Sequence, residues 1–325
     1  MLKEIYEHPR AVADTLNPRI QEGEIVIEEL GMTPEEIRQI DRLQMVACGS
    51  AYHVCMSGKY VLERLAGIPV DVDLASEFRY RDPIMTPDTL VILVSQSGET
   101  ADTLAALRES KKRGHKVLGI VNVVGSSIAR EADSVLYTLA GPEISVATTK
   151  AYSTQLVAVY LLGILFGKVR GQICQERYRE YVEELQRLPA KIQRILDEKE
   201  RIQWLANKYS HARDVFFIGR GLDYAISMEG SLKLKEVSYI HSEAYAAGEL
   251  KHGTISLVEN GTLVVGVATQ SELFEKEISN LVEVKSRGAF VLGLTSYGNY
   301  SMEDIADFTI YVPKTIECFA TSLAV

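Results

Sequence analysis

Six consecutive residues, Ser95-Gln96-Ser97-Gly98-Glu99-Thr100, have the composition of a phosphate-binding turn. Three of them carry hydroxyl groups, and the glycine lets the backbone turn tightly and approach a ligand closely. A helical pattern follows, so the first amides of that helix point outward with partial positive charge. Such a turn can bind phosphate without lysine or arginine. The hydroxyl groups can instead simply cap the helix, and the segment alone does not decide between these interpretations.

Two further turns carry hydroxyl groups beside predicted strand ends or helix starts. Gly49 and Ser50 follow an apolar strand, and Thr148 and Thr149 precede a long helix. Ligands of open α/β sheets bind beyond the carboxyl ends of the strands. The three turns can therefore converge on one polyhydroxylated, phosphorylated ligand. Cys48 also lies at a strand end and can contact this ligand, but no base is placed to activate it as a nucleophile.

The segment from Glu229 to Gly253 is the richest in acid–base groups. It begins with a helical pattern on which Lys233 and Glu236 lie three residues apart and share a face. A carboxylate beside an ammonium group on an inward face can shuttle protons if burial tunes its pKa. The alternative is a surface ion pair, which is common and contributes little. The spacing alone favours this alternative.

The histidines suggest acid–base chemistry at one position only. His252 precedes Gly253 in a glycine-bearing loop and can act as a mobile acid–base group near neutral pH, or it can be an ordinary turn histidine. His241 and Glu243 lack a third metal ligand at a useful spacing, so we expect no metal site. No nucleotide fingerprint is present, and we expect no cofactor. Three other histidines are assigned to the surface: His8, His115 and His211.

The chain contains an internal repeat that positions these residues. The segment KKRGHKVLGIVN, from Lys111, aligns without gaps with KSRGAFVLGLTS, from Lys285, at an offset of 174 residues. A set of matches at one offset indicates two copies of one α/β unit. Further pairs at this offset are Ala132-Asp133 with Ala306-Asp307, Tyr137 with Tyr311, and Gln96-Ser97 with Gln270-Ser271.

Strands alternate with helices in each copy. Residues 89–94 form a continuous β-branched run, typical of a strand buried on both faces, and a helix is predicted from about Thr100 to Arg113. The alternation predicts an α/β fold with two tandem doubly wound parallel sheets and right-handed crossovers. The other predicted strands are 44–48, 116–121, 214–219, 262–268 and 290–295.

The repeat also predicts the domain organisation. Residues 1–174 would form the first unit with an N-terminal helical segment, and residues 213–325 the second unit. Residues 175–212 would form a helical connector, which we expect Pro189 to break into two helices. The second copy stops where the first continues into a long helix, so we expect its C-terminus to be truncated.

The composition excludes several classes of protein. The 325 residues are 46% hydrophobic, enough for about two domains, and the net charge of −9 argues against a nucleic-acid partner. The four cysteines form no C-x-x-C pair and no secretory signal is present, so we expect a cytoplasmic protein with reduced thiols. The longest apolar stretch, Leu156 to Phe166, is too short to span a membrane.

Several motifs together resemble one family. The segments KEIYEHP, ASEFRYRDP, SQSGETADTLAAL, GSSIAREAD and KLKEVSYIHSEAYAAGELKHG are similar to the sugar-isomerase half of glutamine–fructose-6-phosphate aminotransferases, and the similarity extends over essentially the whole chain. The resemblance implies two sugar-isomerase (SIS) domains of flavodoxin-like topology in a homodimer. It also implies conversion of fructose 6-phosphate and ammonia to glucosamine 6-phosphate, on a site that accepts glucose 6-phosphate.

The resemblance assigns roles to individual residues. It implies that Glu236 moves a proton between C1 and C2, that Lys233 assists it, and that His252 opens the sugar ring, reaching into the partner subunit's site. It implies phosphate contacts from Ser95, Gln96, Ser97 and Thr100. It implies contacts to the rest of the substrate from Cys48, Gly49, Ser50, Val146, Ala147 and Thr148.

Three departures from the family pattern qualify these expectations. Leu2 follows Met1 where the family has the catalytic cysteine of a glutaminase domain, so we expect that domain only in a full-length protein. The C-terminal tail with the family's Schiff-base lysine is also missing, and synthase activity is expected to suffer. Ala51 replaces a serine found in many relatives. Two alternatives stay open: a stand-alone glucosamine-6-phosphate deaminase or isomerase of the same fold, and a non-catalytic sugar-phosphate sensor.

Overall fold

The computed structural model describes all 325 residues, which divide into two compact units, Met1–Pro189 and Ala190–Val325. The division lies inside the segment predicted as a connector. Each unit contains one five-stranded parallel sheet with helices around it, so the predicted fold class is confirmed.

The first unit is built on strands β3 to β7. Their order in the sheet is β4-β3-β5-β6-β7, and every neighbouring pair is parallel. The strands of this unit, including a short N-terminal hairpin, are β1 (Ile20–Gln21), β2 (Glu24–Ile25), β3 (Arg42–Ala47), β4 (Val70–Leu74), β5 (Thr89–Ser95), β6 (Lys116–Val121) and β7 (Ser134–Tyr137). Its helices are α1 (Leu2–Tyr6), α2 (His8–Leu16), α3 (Pro34–Gln39), α4 (Ser50–Ala66), α5 (Ala75–Phe78), α6 (Ala101–Lys112), α7 (Ser127–Glu131) and α8 (Lys150–Val169).

The second unit repeats this arrangement. The sheet order is β9-β8-β10-β11-β12, again entirely parallel. Its strands are β8 (Asp214–Gly219), β9 (His241–Ala246), β10 (Leu263–Ala268), β11 (Phe290–Ser296) and β12 (Phe308–Val312). The remaining helices of the chain are α9 (Gln175–Asp197), α10 (Lys199–Lys208), α11 (Leu222–Ser238), α12 (Ala247–Leu250), α13 (Phe274–Ser286) and α14 (Thr321–Ala324), with short 3-10 turns between them.

Both five-stranded sheets have the flavodoxin-like order, in which the chain direction across the sheet reverses beside the strand that comes first in sequence in that sheet. In the first unit the reversal lies between β3 and β5, and in the second unit it lies between β8 and β10. Ligands of doubly wound sheets bind at this switch point, beyond the carboxyl ends of the two strands. The predicted turns at residues 48–50 and 95–100 follow β3 and β5, so the fold places both at the switch point.

The core of the first unit explains its most apolar helix. All seven residues of β5 are buried, as expected for a central parallel strand. Helix α8 is long and apolar enough to cross a membrane by length and composition, but 83% of its most apolar window is buried within the protein. It packs against α4, where Gly167 faces the backbone of Leu65 too closely to allow any side chain. This burial is the usual environment of a central helix in a globular core.

The prediction that Pro189 breaks the connector was wrong. Helix α9 continues through Pro189 to Asp197, and the interruption occurs at Glu198, before α10. Proline removes one helical hydrogen bond, which normally costs about 3 kcal/mol or more. The helix nevertheless has a strongly apolar stripe that includes the buried side chains of Tyr178, Leu185 and Leu188. Burial of this stripe offsets the lost hydrogen bond, because packing provides most of the stability of helices in proteins.

Candidate functional site

The turn after β5 is ordered by its own hydroxyl groups. Ser95 is buried, and its Oγ accepts a hydrogen bond from Gly98 N and lies 3.0 Å from both Gly98 N and Thr100 Oγ1. The Oγ of Ser97 accepts from Glu99 N at 3.2 Å. When Ser95 donates to Thr100, the hydroxyl protons of Thr100 and Ser97 are both left to point toward a ligand. Ser95 therefore organises the turn, while Ser97 and Thr100 can act as donors.

Gly98 is required by the shape of this turn. Its φ of +66° lies in the left-handed region, which side chains disfavour, and an added Cβ would lie 2.6 Å from Ser126 Cβ. The carbonyl of Gly98 also accepts a hydrogen bond from Ile128 N at 3.0 Å. The turn is thus clamped against the loop that leads into α7.

Glu99 directs its charge away from the turn. Its carboxylate accepts a hydrogen bond from Ser127 N at 2.7 Å. Hydrogen bonds from Ser127, and then the charge of Arg130, hold the pKa of Glu99 below its usual range. An anion at the turn therefore meets hydroxyl groups and amides, and the one carboxylate in the segment is already bound elsewhere.

The turn after β3 lies at the same edge of the sheet, because β3 and β5 are paired and parallel. Gly49 has φ +57° and ψ −134°, and its carbonyl accepts from Tyr52 N at 3.0 Å as α4 begins. Cys48 Sγ lies 3.9 Å from Thr103 Oγ1 on α6. The fold thus brings the first two predicted turns together, and Ser50 is partly exposed at the start of α4.

The third predicted turn is held by carboxylates. The carboxylate of Glu4 accepts from Ile144 N at 2.6 Å and from Ser145 N at 3.1 Å. That of Glu143 accepts from Thr149 N at 2.7 Å at the start of α8. Val146 is 96% exposed. Ala147 is buried and Thr148 is half-buried, and no hydrogen bond joins these residues to the other two turns.

Asn122, which the sequence did not single out, links the turn after β5 to the residues that precede the third turn. Asn122 follows β6, and its backbone N–H donates to Gln96 O at 3.1 Å. Its side chain donates to Gly141 O at 2.8 Å and accepts from Ala140 N at 2.8 Å. Its position at a strand end was the available signal. An open cavity of about 610 Å³ lies beside it, lined by Gln96, Asn122, Val123, Leu139, Gly141, Pro142 and Glu143.

The acid–base pair of the second unit lies on α11. Lys233 forms ion pairs with Glu236 and, at 3.5 Å, with Glu229, so the predicted shared face is confirmed. The side chain of Glu229 is 1% exposed, that of Lys233 20% and that of Glu236 31%. The helix begins at Leu222, two turns before the predicted start. Because Glu229 is buried, this three-membered cluster differs from an ordinary surface ion pair.

His252 lies in the turn after α12 and is exposed. Its backbone N–H donates to Glu249 O at 2.9 Å, while its imidazole ring makes no hydrogen bond within the chain. An exposed, unbonded imidazole retains both ring nitrogens for proton transfer. His241 is engaged differently, since its Nδ1 lies 3.0 Å from Asp214 Oδ1.

The surface assignment of His8 was wrong. His8 Nδ1 lies 3.3 Å from Ser153 Oγ, and burial lowers the pKa of this imidazole to about 4. The neighbouring Glu7 carboxylate accepts from the buried Lys150 ammonium group at 2.6 Å. The start of α2 and Glu7, the residue that joins α1 to α2, therefore fasten the start of α8. This contact joins residues about 140 positions apart, so the local pattern could not reveal it.

Comparisons with known proteins agree with this architecture. The SIS domain family matches residues 36–165 and 208–324. The glutamine–fructose-6-phosphate aminotransferase of Caldanaerobacter subterraneus subsp. tengcongensis is 55% identical over 318 residues, which cover 98% of this chain and 52% of that protein. The chain thus spans about half the length of the curated relatives it matches.

Two solved structures are also similar. The C-terminal domain of glucosamine–fructose-6-phosphate aminotransferase from Francisella tularensis has a TM-score of 0.94 and 38% identity, covering 99% of this chain and 91% of that one. The glucosamine-6-phosphate deaminase from Thermotoga maritima has a TM-score of 0.70 and 25% identity, with coverages of 97% and 91%. The chain belongs to the SIS domain family and, within it, to the C-terminal isomerase domains of glutamine–fructose-6-phosphate aminotransferases.

Proposed function

We propose that this chain binds fructose 6-phosphate and, with ammonia, converts it to glucosamine 6-phosphate. The observation that carries the proposal is the turn from Ser95 to Thr100, which lies at a topological switch point. Its Ser97 hydroxyl can donate to a ligand, and its Thr100 hydroxyl can do so when Ser95 donates to Thr100. In the full-length protein, ammonia would come from a glutaminase domain, since the curated aminotransferases are about twice as long as this chain. We further propose a cytoplasmic location.

Phosphate recognition would rely on neutral donors. Ser97, Thr100 and the backbone N–H groups that open α6 would take the phosphate oxygens, with Gln96 at the rim. Hydrogen bonds to a charged group contribute about 1.5–3 kcal/mol each, so a few such donors suffice for a dianion. The sugar would extend toward Ser50 and the segment Val146–Thr148.

Proton transfer would fall to the second unit. Ammonia replaces the C2 carbonyl oxygen of the open-chain substrate, with loss of water, to give an imine. Glu236 would take a proton from C1 and return it to C2, while the C1 hydroxyl proton passes to the imine nitrogen, and the two transfers together yield the amino aldose. Lys233 would hold the Glu236 carboxylate in position through its ion pair. His252 would open the sugar ring by moving a proton between the anomeric hydroxyl and the ring oxygen. Its exposed, unbonded ring supports this role.

The phosphate proposal is tested with a pair of serine variants. Ser97→Ala should weaken glucose 6-phosphate binding roughly tenfold or more, because one donor to a charged group is lost. Ser271→Ala, at the equivalent place in the second unit, should leave the affinity unchanged. Calorimetry with glucose 6-phosphate, and with glucose as the phosphate-free ligand, measures both. Equal affinities for wild type and Ser97→Ala, or a crystal complex with the phosphate elsewhere, would overturn the proposal.

A homodimer with shared sites would follow the proposed role of His252. Mixing a Glu236→Gln protein with a His252→Asn protein should partly restore activity, since one site of each mixed dimer would then contain both wild-type groups. No recovery after subunit exchange, verified by mass spectrometry, would place both groups in the site of a single subunit.

The second candidate function is deamination of glucosamine 6-phosphate, which is favoured by the similarity to the Thermotoga maritima deaminase. Release of ammonia from glucosamine 6-phosphate, with no synthesis when ammonia is supplied, would favour it. A sensor without catalysis would bind sugar phosphate equally well in wild type and Glu236→Gln and turn over neither substrate.

A further inference from the structure

The second unit contains the counterpart of the phosphate turn. Gln270 and Ser271 align with Gln96 and Ser97, and they follow β10 as the first pair follows β5. The preceding turns also match, because Gly221 has φ +55° and ψ −121°, close to the values of Gly49. Helices α4 and α11, which begin directly after these glycines, both have 17 residues. The two switch points are therefore built alike.

A carboxylate of the chain itself occupies the second switch point. Asp223, the second residue of α11, is 1% exposed. It accepts hydrogen bonds from Thr269 N at 2.8 Å, from Gln270 N at 3.2 Å and from the Thr269 hydroxyl group. A carboxylate that accepts from two successive amides and a hydroxyl group is bound as an external oxyanion would be.

A second carboxylate closes the same turn. Glu317 accepts from Ser271 N at 2.9 Å and also from the Ser271 hydroxyl group. The donors that would correspond to those of Ser97 are thus used within the chain. Together, Asp223 and Glu317 accept hydrogen bonds from the backbone N–H groups of residues 269, 270 and 271.

The first unit lacks both carboxylates at the equivalent place. Its second residue of α4 is Ala51, which cannot accept a hydrogen bond through its side chain. Glu143, which lies at the same offset from Glu317 as Ser97 does from Ser271, turns away and binds Thr149 N. The difference between the two turns therefore lies in the groups that face them.

Of two neighbouring buried carboxyl groups, Asp223 is the one whose hydrogen bonds favour the charged form. Glu277 on α13 is also buried, and neither of its carboxylate oxygens has a hydrogen-bond partner. Burial raises the pKa of Glu277 to about 8 and that of Asp223 to about 7. Arg220, held by Asn280 Oδ1, is the neighbouring cation. Because three donors face Asp223 and none faces Glu277, the proton resides on Glu277.

We propose that the carboxylates of Asp223 and Glu317 are built-in anions that occupy the donors of the second turn, so that each chain takes sugar phosphate in its first unit only. Glu317 takes the counterpart of Ser97, whereas Asp223 takes the counterparts of Ser95 and Gln96. The proposal rests on the proposed function for the identity of the ligand. It makes Ala51 and Asp223 the residues that determine which of two duplicated turns accepts phosphate.

The first test adds the carboxylate where it is missing. Ala51→Asp should weaken glucose 6-phosphate binding roughly a hundredfold or more, because opposed like charges cost several kcal/mol. Ala51→Ser, which adds a small polar group without charge, should retain glucose 6-phosphate binding. Circular dichroism and a urea titration verify that both variants fold. Retained affinity in folded Ala51→Asp would overturn the proposal.

The second test removes the carboxylate where it is present. Asp223→Ala should be stabilised by sodium formate, measured as a rise in amide hydrogen-exchange protection at residues 269–273, whereas sodium chloride at equal ionic strength should have no such effect. Asp223→Asn fills the space and should show no response to formate. A folded Asp223→Ala protein without a formate response would overturn the proposal, and if this variant does not fold, Ala51→Asp decides. If the wild-type protein does not bind glucose 6-phosphate, the proposed function is wrong, whereas the formate experiment still tests whether Asp223 occupies an anion site.

Discussion

The two units differ least in their scaffold and most at their switch points. In the first unit, Asp133 accepts from Val117 N at 2.9 Å and from Lys111 at 2.8 Å. In the second unit, at the repeat offset, Asp307 accepts from Val291 N at 2.8 Å and pairs with Lys285 at 2.5 Å. The aspartate that binds both a strand amide and a helix lysine is thus present in both copies, whereas Ala51 and Asp223 differ.

The comparison shows how one scaffold can serve two purposes. A doubly wound sheet creates an anion-binding edge wherever its chain direction reverses, and the duplicated chain has two such edges. One is left to an external ligand, and the other is filled from within. The second unit instead carries charge on α11, where Glu229, Lys233 and Glu236 stand at positions that are Ser57, Val61 and Arg64 on α4. Function thus depends on a few side chains placed on a common fold.

The largest expected effect tests this assignment of chemistry to the second unit. Glu236→Gln should lower kcat for ammonia-dependent glucosamine 6-phosphate formation by roughly 10²–10⁴-fold, because a positioned acid–base group contributes about that factor. KM should change little. The measurement uses the full-length protein, and Glu243→Gln, a partly buried carboxylate on β9, is the matched control. Equal kcat values for both variants would return Glu236 to the role of a surface ion-pair partner.

Gly98→Ala should break the first switch point. The methyl group would face Ser126 at a φ that alanine disfavours, and such strain costs about 1–3 kcal/mol. We expect a lower urea midpoint and a loss of glucose 6-phosphate binding. Glu272→Ala, at the equivalent place in a 3-10 turn of the second unit, should stay within about 0.5 kcal/mol of wild type. Normal sugar-phosphate affinity in Gly98→Ala would show that the tight turn is not needed for binding.

Much of this architecture followed from the sequence alone. The repeat and the continuous apolar runs predicted both sheets, and the composition of residues 95–100 predicted the turn at the switch point. The role of Asp223 was not predicted, because its partners Thr269 and Gln270 are 46 and 47 residues away. The repeat offset also changes by two residues between α4 and the later strands, so a single gapless alignment does not pair Ala51 with Asp223.

The buried carboxylates of the second unit should give it a loss of stability with rising pH that the first unit lacks. Burial raises the pKa of Glu277 to about 8. Because the folded state binds this proton more tightly than the unfolded state, Glu277 adds to the free energy of unfolding in full below about pH 4.5, and this addition is lost as the pH rises through 8. Burial acts in the same direction on the pKa of Asp223, where hydrogen bonds from Thr269 and Gln270 oppose it. At Glu277 the charge of Arg220 opposes the rise in pKa. The equivalent residue in the first unit is Thr103, which does not titrate in this range.

Hydrogen exchange measures this difference unit by unit. Between pH 5 and 8.5, protection in β10 and α13 should fall by an amount on the order of a few kcal/mol, after correction for intrinsic exchange, whereas β5 and α6 should show no such fall. Glu277→Gln should flatten the dependence in the second unit. A slope equal in both units, or one unaffected by Glu277→Gln, would assign the pH dependence to other groups.

The smallest expected effect concerns the third turn of the first unit. Although burial opposes it, hydrogen bonds from Ile144 N and Ser145 N hold the pKa of Glu4 below its usual range. Glu4→Gln keeps the shape but weakens two charge-assisted hydrogen bonds, so we expect a loss of about 1 kcal/mol and a severalfold rise in KM with kcat unchanged. Glu35→Gln, an exposed carboxylate on α3, is the control. Because Glu4 belongs to α1, a rise in KM would show that the N-terminal helices hold the segment Val146–Thr148 in place for the substrate, whereas a fall in stability with an unchanged KM would limit Glu4 to a structural role.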